Sequence, residues 1–297
     1  MSLIELALQR VKADSAKGSA EKGNASAGLP AAGAAPLRND PVPAVPAEPR
    51  EPVVFITETF LREKGLLAPE THEHQQRAEY RHIKYGLLRE ISRQGGHGLI
   101  LVTSALQGEG KSFSSVHLAL SLASEQDYTV VLVDADVIRP SVSRLMGCDD
   151  RPGLMNVLVD GVTDIESLIL PTNVRGLSFL PSGRHEERAT EFFSSARMAE
   201  ITRQLLSVPN RIVVVDTLPL LLTTESRALA SLGGQIVLVV RAESTPQNAV
   251  LEAIDLLGEG ANVKLLLNAA VRSKALEYYG LGHGYDYTTN TRKEKTP

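Results

Sequence analysis

A doubly wound, mostly parallel α/β sheet is the fold this sequence predicts, on two observations. Six short apolar runs lie between residues 99 and 268, separated by helical patterns and lacking the alternation of a half-exposed strand. A glycine-rich, lysine-bearing segment follows the first run and opens a helical pattern. Continuous apolar strands suit a parallel sheet because helices cover both of its faces. A strand, a glycine loop and a helix in succession place a phosphate-binding turn at the carboxyl edge of such a sheet.

Taken in order, the chain opens with MSLIELALQRVK, which puts Leu3, Ile4, Leu6, Ala7, Leu8 and Val11 near one face of a short amphipathic helix over residues 1–13. Such a face needs something to dock on. Residues 14–55 read as an Ala/Pro-rich, extended and disordered linker, because seven of the sixteen prolines fall between Pro30 and Pro52 and little there could fill a core. The folded domain is expected over 56–272, with a helical segment at 56–94 that GGHG at 95–98 stops. The strands are LILVTS at 99, VVLVDAD at 131, LSFLPSG at 177, IVVVDTL at 212, IVLVV at 236 and VKLLLN at 263. Residues 273–297 are expected to form a flexible, tyrosine-rich tail.

The totals narrow the partners. A net charge of −4 over 297 residues gives no general push toward nucleic acid, so none is expected. Cys148 is the single cysteine and cannot form an intrachain disulfide, and neither a signal peptide nor a long apolar run is present. A cytoplasmic location is the expectation.

Chemistry gathers at three strand ends. Ala105–Ser112 has the spacing of a phosphate loop, with alanine where the pattern usually begins with glycine. Gly108 and Gly110 let the backbone turn its N–H groups onto a phosphate, Lys111 reaches the β and γ phosphates, and Ser112 offers its hydroxyl to Mg²⁺. Asp134 and Asp136 end the second strand and Asp216 ends the fourth. Ligands in such sheets lie beyond the carboxyl ends of the strands, so these acids converge on the metal and the attacking group.

The loop GEGKS, the motif LVDAD with Pro140, the motif VVVD and the tyrosine cluster EYYGLGHGYDY together resemble the bacterial tyrosine autokinases of exopolysaccharide loci, over about residues 75–288. MSLIE, RPSVSRLMG, LPSGR, SSARM and VRAESTPQNAV are similar to the branch associated with exosortase and PEP-CTERM loci. The resemblance implies a P-loop NTPase using ATP and Mg²⁺. It implies a nucleotide site of Gly108, Glu109, Gly110, Lys111, Ser112 and Phe113, with Asn268 near the base. It gives catalytic roles to Lys111, Asp134, Asp136 and Asp216, with Ser112, Asp136 and Asp216 on Mg²⁺ and Asp134 as the base that activates a tyrosine. An unperturbed tyrosine, with a pKa of ~10, needs such activation.

Departures from the family pattern are Ile138 where an arginine is usual, Leu218 where a proline is usual, and Ala78, Arg81 and Lys84 in place of Glu-x-x-Arg-x-x-Arg. The family's ring assembly therefore falls to Arg81 and Lys84. The expected acceptors are Tyr278, Tyr279, Tyr285 and Tyr287, four of the seven tyrosines, spaced by glycines that keep the segment unstructured. Ten residues separate Asn268 from Tyr278 and span at most ~33–36 Å, enough to enter a neighbouring copy. The implied partners are further copies of the chain in a ring and a membrane chain-length regulator of polysaccharide export, which holds the protein peripherally at the inner membrane. Two rivals share the sheet: a non-catalytic ATP-binding assembly switch, and a partitioning-type ATPase, whose additional loop lysine is replaced by Leu106.

Overall fold

The strands form because their residues have two apolar sides to cover. In the computed structural model, which describes residues 51–67, 70–93, 98–161 and 164–270, β1 (Gly98–Ser104) is buried along its whole length. Beside it run β2 (Thr129–Asp134), β4 (Leu177–Leu180), β5 (Arg211–Pro219), β6 (Gln235–Arg241) and β7 (Asn262–Asn268). With the short β3 (Leu170–Pro171) they make one seven-stranded sheet in the order β3-β4-β2-β5-β1-β6-β7. Every pairing is parallel except β3 with β4.

Alternate residues of the central strands serve opposite faces. Ile100, Val102, Leu132, Ile212 and Val214 pack with α2 (Glu70–Arg93) and α3 (Lys111–Ala123) through Leu87, Ile91, Val116 and Leu122. Leu101, Val131, Val133, Val213 and Val215 pack on the other side with α5 (Leu154–Val159), α6 (Ala189–Phe193) and α7 (Ala196–Leu206), through Met155, Phe193 and Ile201. Each such side chain, fully buried, contributes roughly 1.5–3 kcal/mol. The remaining helices are α1 (Glu58–Glu63), α4 (Ser141–Leu145), α8 (Glu225–Ala230) and α9 (Gln247–Leu257); α9 covers β6 through Val250 and Ala253.

The entry to the domain corrects the expected linker boundary. Val53 and Val54 donate their amides to the carbonyl of Pro171 at 2.9 and 3.2 Å, and Val54 bridges to Thr172. Asn173 accepts from the Ile56 amide at 2.6 Å and donates to the Ile56 carbonyl at 3.2 Å. Val54 and Ile56 belong to the core, so the fold already includes the last residues assigned to the linker. The helical segment read at 56–94 is broken: α1 is capped by the Thr57 hydroxyl, which accepts from the Phe60 amide at 3.1 Å, and α2 begins only after Pro69. The expected helix at 1–13, the rest of the linker to residue 50, and the tyrosine-bearing tail lie outside the described residues. Among the described residues, no helix is long and apolar enough to cross a membrane.

Candidate nucleotide and phosphoryl-transfer site

The loop between β1 and α3 is held open by bonds to its own carbonyls. Ser104 Oγ donates to the Leu106 carbonyl at 2.6 Å, Arg241 Nη1 to that of Gly108 at 3.1 Å, and Asn268 Nδ2 to that of Glu109 at 2.9 Å. With these carbonyls tied to surrounding side chains, the loop curls over the start of α3, whose first amides have no partners within the helix. Gly108 and Gly110 stand at φ 81° and 96°. A Cβ on Gly110 would lie 2.0 Å from Asn268 Nδ2, so this turn requires both the left-handed backbone and the missing side chain. Glu109, expected among the nucleotide contacts, turns its side chain inward. Its carboxylate accepts from the Leu106 amide at 2.7 Å and from the Thr245 hydroxyl, so the side chain braces the loop from behind and does not line the cleft.

Register brings the acids together. Asp134 and Asp216 are partners across β2 and β5. Asp216, 0% exposed, accepts from Ser112 Oγ at 2.7 Å with one oxygen and from Ser115 Oγ at 2.8 Å with the other. Burial pushes its carboxyl up to about 6, against the pull of the Lys111 ammonium and the two serine hydroxyls. Burial likewise raises Asp136, opposed by the Arg139 amide and Lys111. The site therefore holds one buried lysine, three buried carboxylates and two hydroxyls, an electrostatically frustrated set that a cation and an oxyanion ligand would satisfy together.

Asp134, expected as the base, is placed differently. It is 0% exposed, its oxygens accept from the Asp136 amide at 3.1 Å and the Ser143 amide at 2.7 Å, and burial followed by the Asp216 charge raises its carboxyl. Ser143 is fixed in turn by Ser182, whose amide donates to Ser143 Oγ at 3.0 Å. Asp134 thus shapes the turn that presents Asp136. The open cleft, about 480 Å³, is lined by Gly108, Gly110, Lys111, Ser112, Phe113, Asp136 and the buried Leu218, with Ile138, Arg139 and Leu222 toward solvent, and not by Asp134. On the other side of Phe113 a hollow of about 560 Å³ is lined by Tyr80, Ile83, Leu267 and Asn268. Phe113 also packs on the His117 ring at 4.5 Å, and Tyr80 stacks on that ring at 5.0 Å.

The two residues assigned to ring contacts separate. Arg81 is exposed on α2. Lys84 is buried, donating to the Ser121 carbonyl at 2.9 Å and Ser124 Oγ at 2.8 Å, and it pairs with Glu125 at 2.6 Å. Its ammonium pins α2 to the end of α3, which corrects its assignment to an intermolecular contact. Sequence reasoning missed Ser115, Thr245 and Arg241. Ser115 could have been found, since it follows Ser112 by three residues and shares its helix face. Thr245 and Arg241 lie in VRAESTPQNAV, but they are far from the loop in sequence and nothing local ties them to it.

A turn of backbone amides at a helix start, a lysine and a hydroxyl on its first turn, and carboxylates at the adjoining strand ends define a P-loop NTPase. A family model described as ParA, NUBPL iron-transfer P-loop NTPase, matches residues 97–208. The chain is 30% identical over 200 residues to the tyrosine-protein kinase CpsD of Streptococcus agalactiae, covering 66% of this chain and 84% of CpsD. It therefore belongs to the bacterial tyrosine-protein kinase family. EpsB of Ralstonia solanacearum is 31% identical over 214 residues, 69% of this chain, and the chain spans only 28% of EpsB. Among solved structures, the VpsO kinase domain superposes with a TM-score of 0.58 at 27% identity, covering 68% of this chain and all (100%) of that domain.

Proposed function

We propose that this protein is an ATP-dependent protein-tyrosine kinase that phosphorylates Tyr278, Tyr279, Tyr285 and Tyr287 of a second copy of itself. The observation that carries the reading is the 2.7 Å bond from Ser112 Oγ to Asp216, beside a buried Lys111 and an Asp136 that opens on the cleft. Lys111 and the loop amides hold the β and γ phosphates, and Phe113 and Asn268 border the hollow that receives the base. The all-oxygen set of Ser112, Asp216 and Asp136 fits Mg²⁺, which when bound neutralises charge on the phosphates. Asp136 takes the proton of the acceptor tyrosine as its oxygen bonds to the γ phosphorus and the bond to the ADP oxygen breaks.

The resemblance carried by MSLIE, RPSVSRLMG, LPSGR, SSARM and VRAESTPQNAV supports a role in exopolysaccharide synthesis or export, in the exosortase-associated branch. In that setting the protein is cytoplasmic and sits at the inner membrane through a chain-length regulator, assembled as a ring with Arg81 at the contact. The test is a phosphotyrosine blot after incubation with ATP and Mg²⁺. Full-length protein should label, whereas Lys111→Met and a chain ending at Lys274 should not, the latter still binding ATP. Labelling of the shortened chain would refute the tail as acceptor. ATP binding by the full-length protein without any phosphotyrosine would leave an assembly switch instead.

A further inference from the structure

The mouth of the cleft carries two exposed apolar side chains beside Arg139. Ile138 is 49% exposed and Leu222 58% exposed, two of the seven large exposed hydrophobics among the described residues, and both line the same cleft as Lys111 and Asp136. Ile138 stands two residues beyond Asp136, and Leu222 three residues beyond the end of β5, so both project from loops at the sheet's carboxyl edge. Triphosphate recognition uses amides and cations, and neither side chain supplies one. Their chemical match is a flat apolar body, and an aromatic ring buries 150–250 Å² in such a setting by the usual measure, on the order of a whole side chain. Arg139, also exposed, lines the same cleft, with no side-chain ion pair shown among the described residues.

Taking the proposed acceptor as given, we infer that Ile138, Leu222 and Arg139 form its binding subsite: the two aliphatic side chains clamp the phenol ring and Arg139 pairs with a carboxylate beside it. The occupant is segment 277–287 of a second copy. Its sequence supplies both features, since Glu277 precedes Tyr278 and Asp286 lies between Tyr285 and Tyr287. The described chain ends at Ala270, eight residues before Tyr278, a span of at most ~26–29 Å. The subsite explains how a nucleotide cleft selects tyrosine over serine: a serine side chain leaves the clamp empty.

The experiment measures binding of a fluorescent peptide spanning 277–287 to the full chain in the presence of ADP and Mg²⁺, with the chain's own four tail tyrosines changed to serine so that they do not compete. A peptide with phenylalanine in place of its tyrosines should bind like the tyrosine peptide, and one with serine about tenfold or more weaker. Ile138→Ser with Leu222→Ser should erase that difference, while Ile138→Val with Leu222→Met preserves it and shows that the fold tolerates change there. Arg139→Glu should weaken binding about two- to fivefold, and lysines in the peptide at Glu277 and Asp286 should restore it. Undiminished discrimination in the double serine variant, or no rescue of Arg139→Glu, overturns the subsite. Phosphotyrosine forming as fast in the double serine variant of the chain with its natural tail as in the unaltered chain also overturns it, leaving the kinase reading intact. Discriminating binding without any phosphotyrosine overturns the kinase reading alone.

Discussion

Replacing Asp216 by asparagine should make the ligand-free protein more stable while destroying its chemistry. The carboxyl of Asp216 is raised from an ordinary 3.8 to about 6, with burial the leading cause. A group raised in this way contributes stability below its unfolded value and loses it as pH rises through its folded one. One pKa unit corresponds to about 1.4 kcal/mol, so the ionised carboxylate costs the native state on the order of 3 kcal/mol at pH 8. Asparagine keeps the shape and can still exchange hydrogen bonds with Ser112 and Ser115, whose hydroxyls rotate. In urea unfolding without nucleotide or Mg²⁺, Asp216→Asn should match the wild type near pH 4 and exceed it above pH 6 by about 1–3 kcal/mol. With ATP and Mg²⁺ the order should reverse, because the variant loses a metal oxygen. A variant less stable than the wild type at pH 8 without ligand would refute the view that the site stores unfavourable charge for a cation to relieve.

Two further outcomes follow from the contacts. Lys84→Met should cost about 1–3 kcal/mol in a thermal or urea melt by leaving the Ser121 carbonyl and Ser124 without the ammonium; a changed oligomer, read by light scattering, with unaltered stability would restore Lys84 to an intermolecular role. Asn268→Ala should weaken nucleotide binding about fivefold in calorimetry, since it removes one neutral hydrogen bond that holds the Glu109 carbonyl away from the loop interior. Unchanged affinity would show that the loop is formed without this latch.

The sheet was legible because its strands are apolar on both sides, as Ile100 and Leu101 show by serving opposite cores. The loop and the three aspartates were legible because chemistry at a parallel sheet collects at strand ends. What the sequence concealed depended on contacts between distant residues. Val54 follows a proline-rich stretch and becomes part of the fold only through Pro171 and Thr172. The two-residue β3 is too short for any periodicity to mark. Lys84 reads as a surface cation until the Ser121 carbonyl and Glu125 are brought to it. Asp134 and Asp136 look equivalent in LVDAD, and only the amides of Asp136 and Ser143 separate the buried brace from the carboxylate facing the cleft.

Mass spectrometry of the purified protein, incubated with ATP and Mg²⁺ and digested, tests the central claim most directly. Phosphate on Tyr278, Tyr279, Tyr285 or Tyr287, absent from Lys111→Met treated alike, is the predicted result. A tail that stays unmodified while ATP is bound would contradict phosphoryl transfer to these tyrosines.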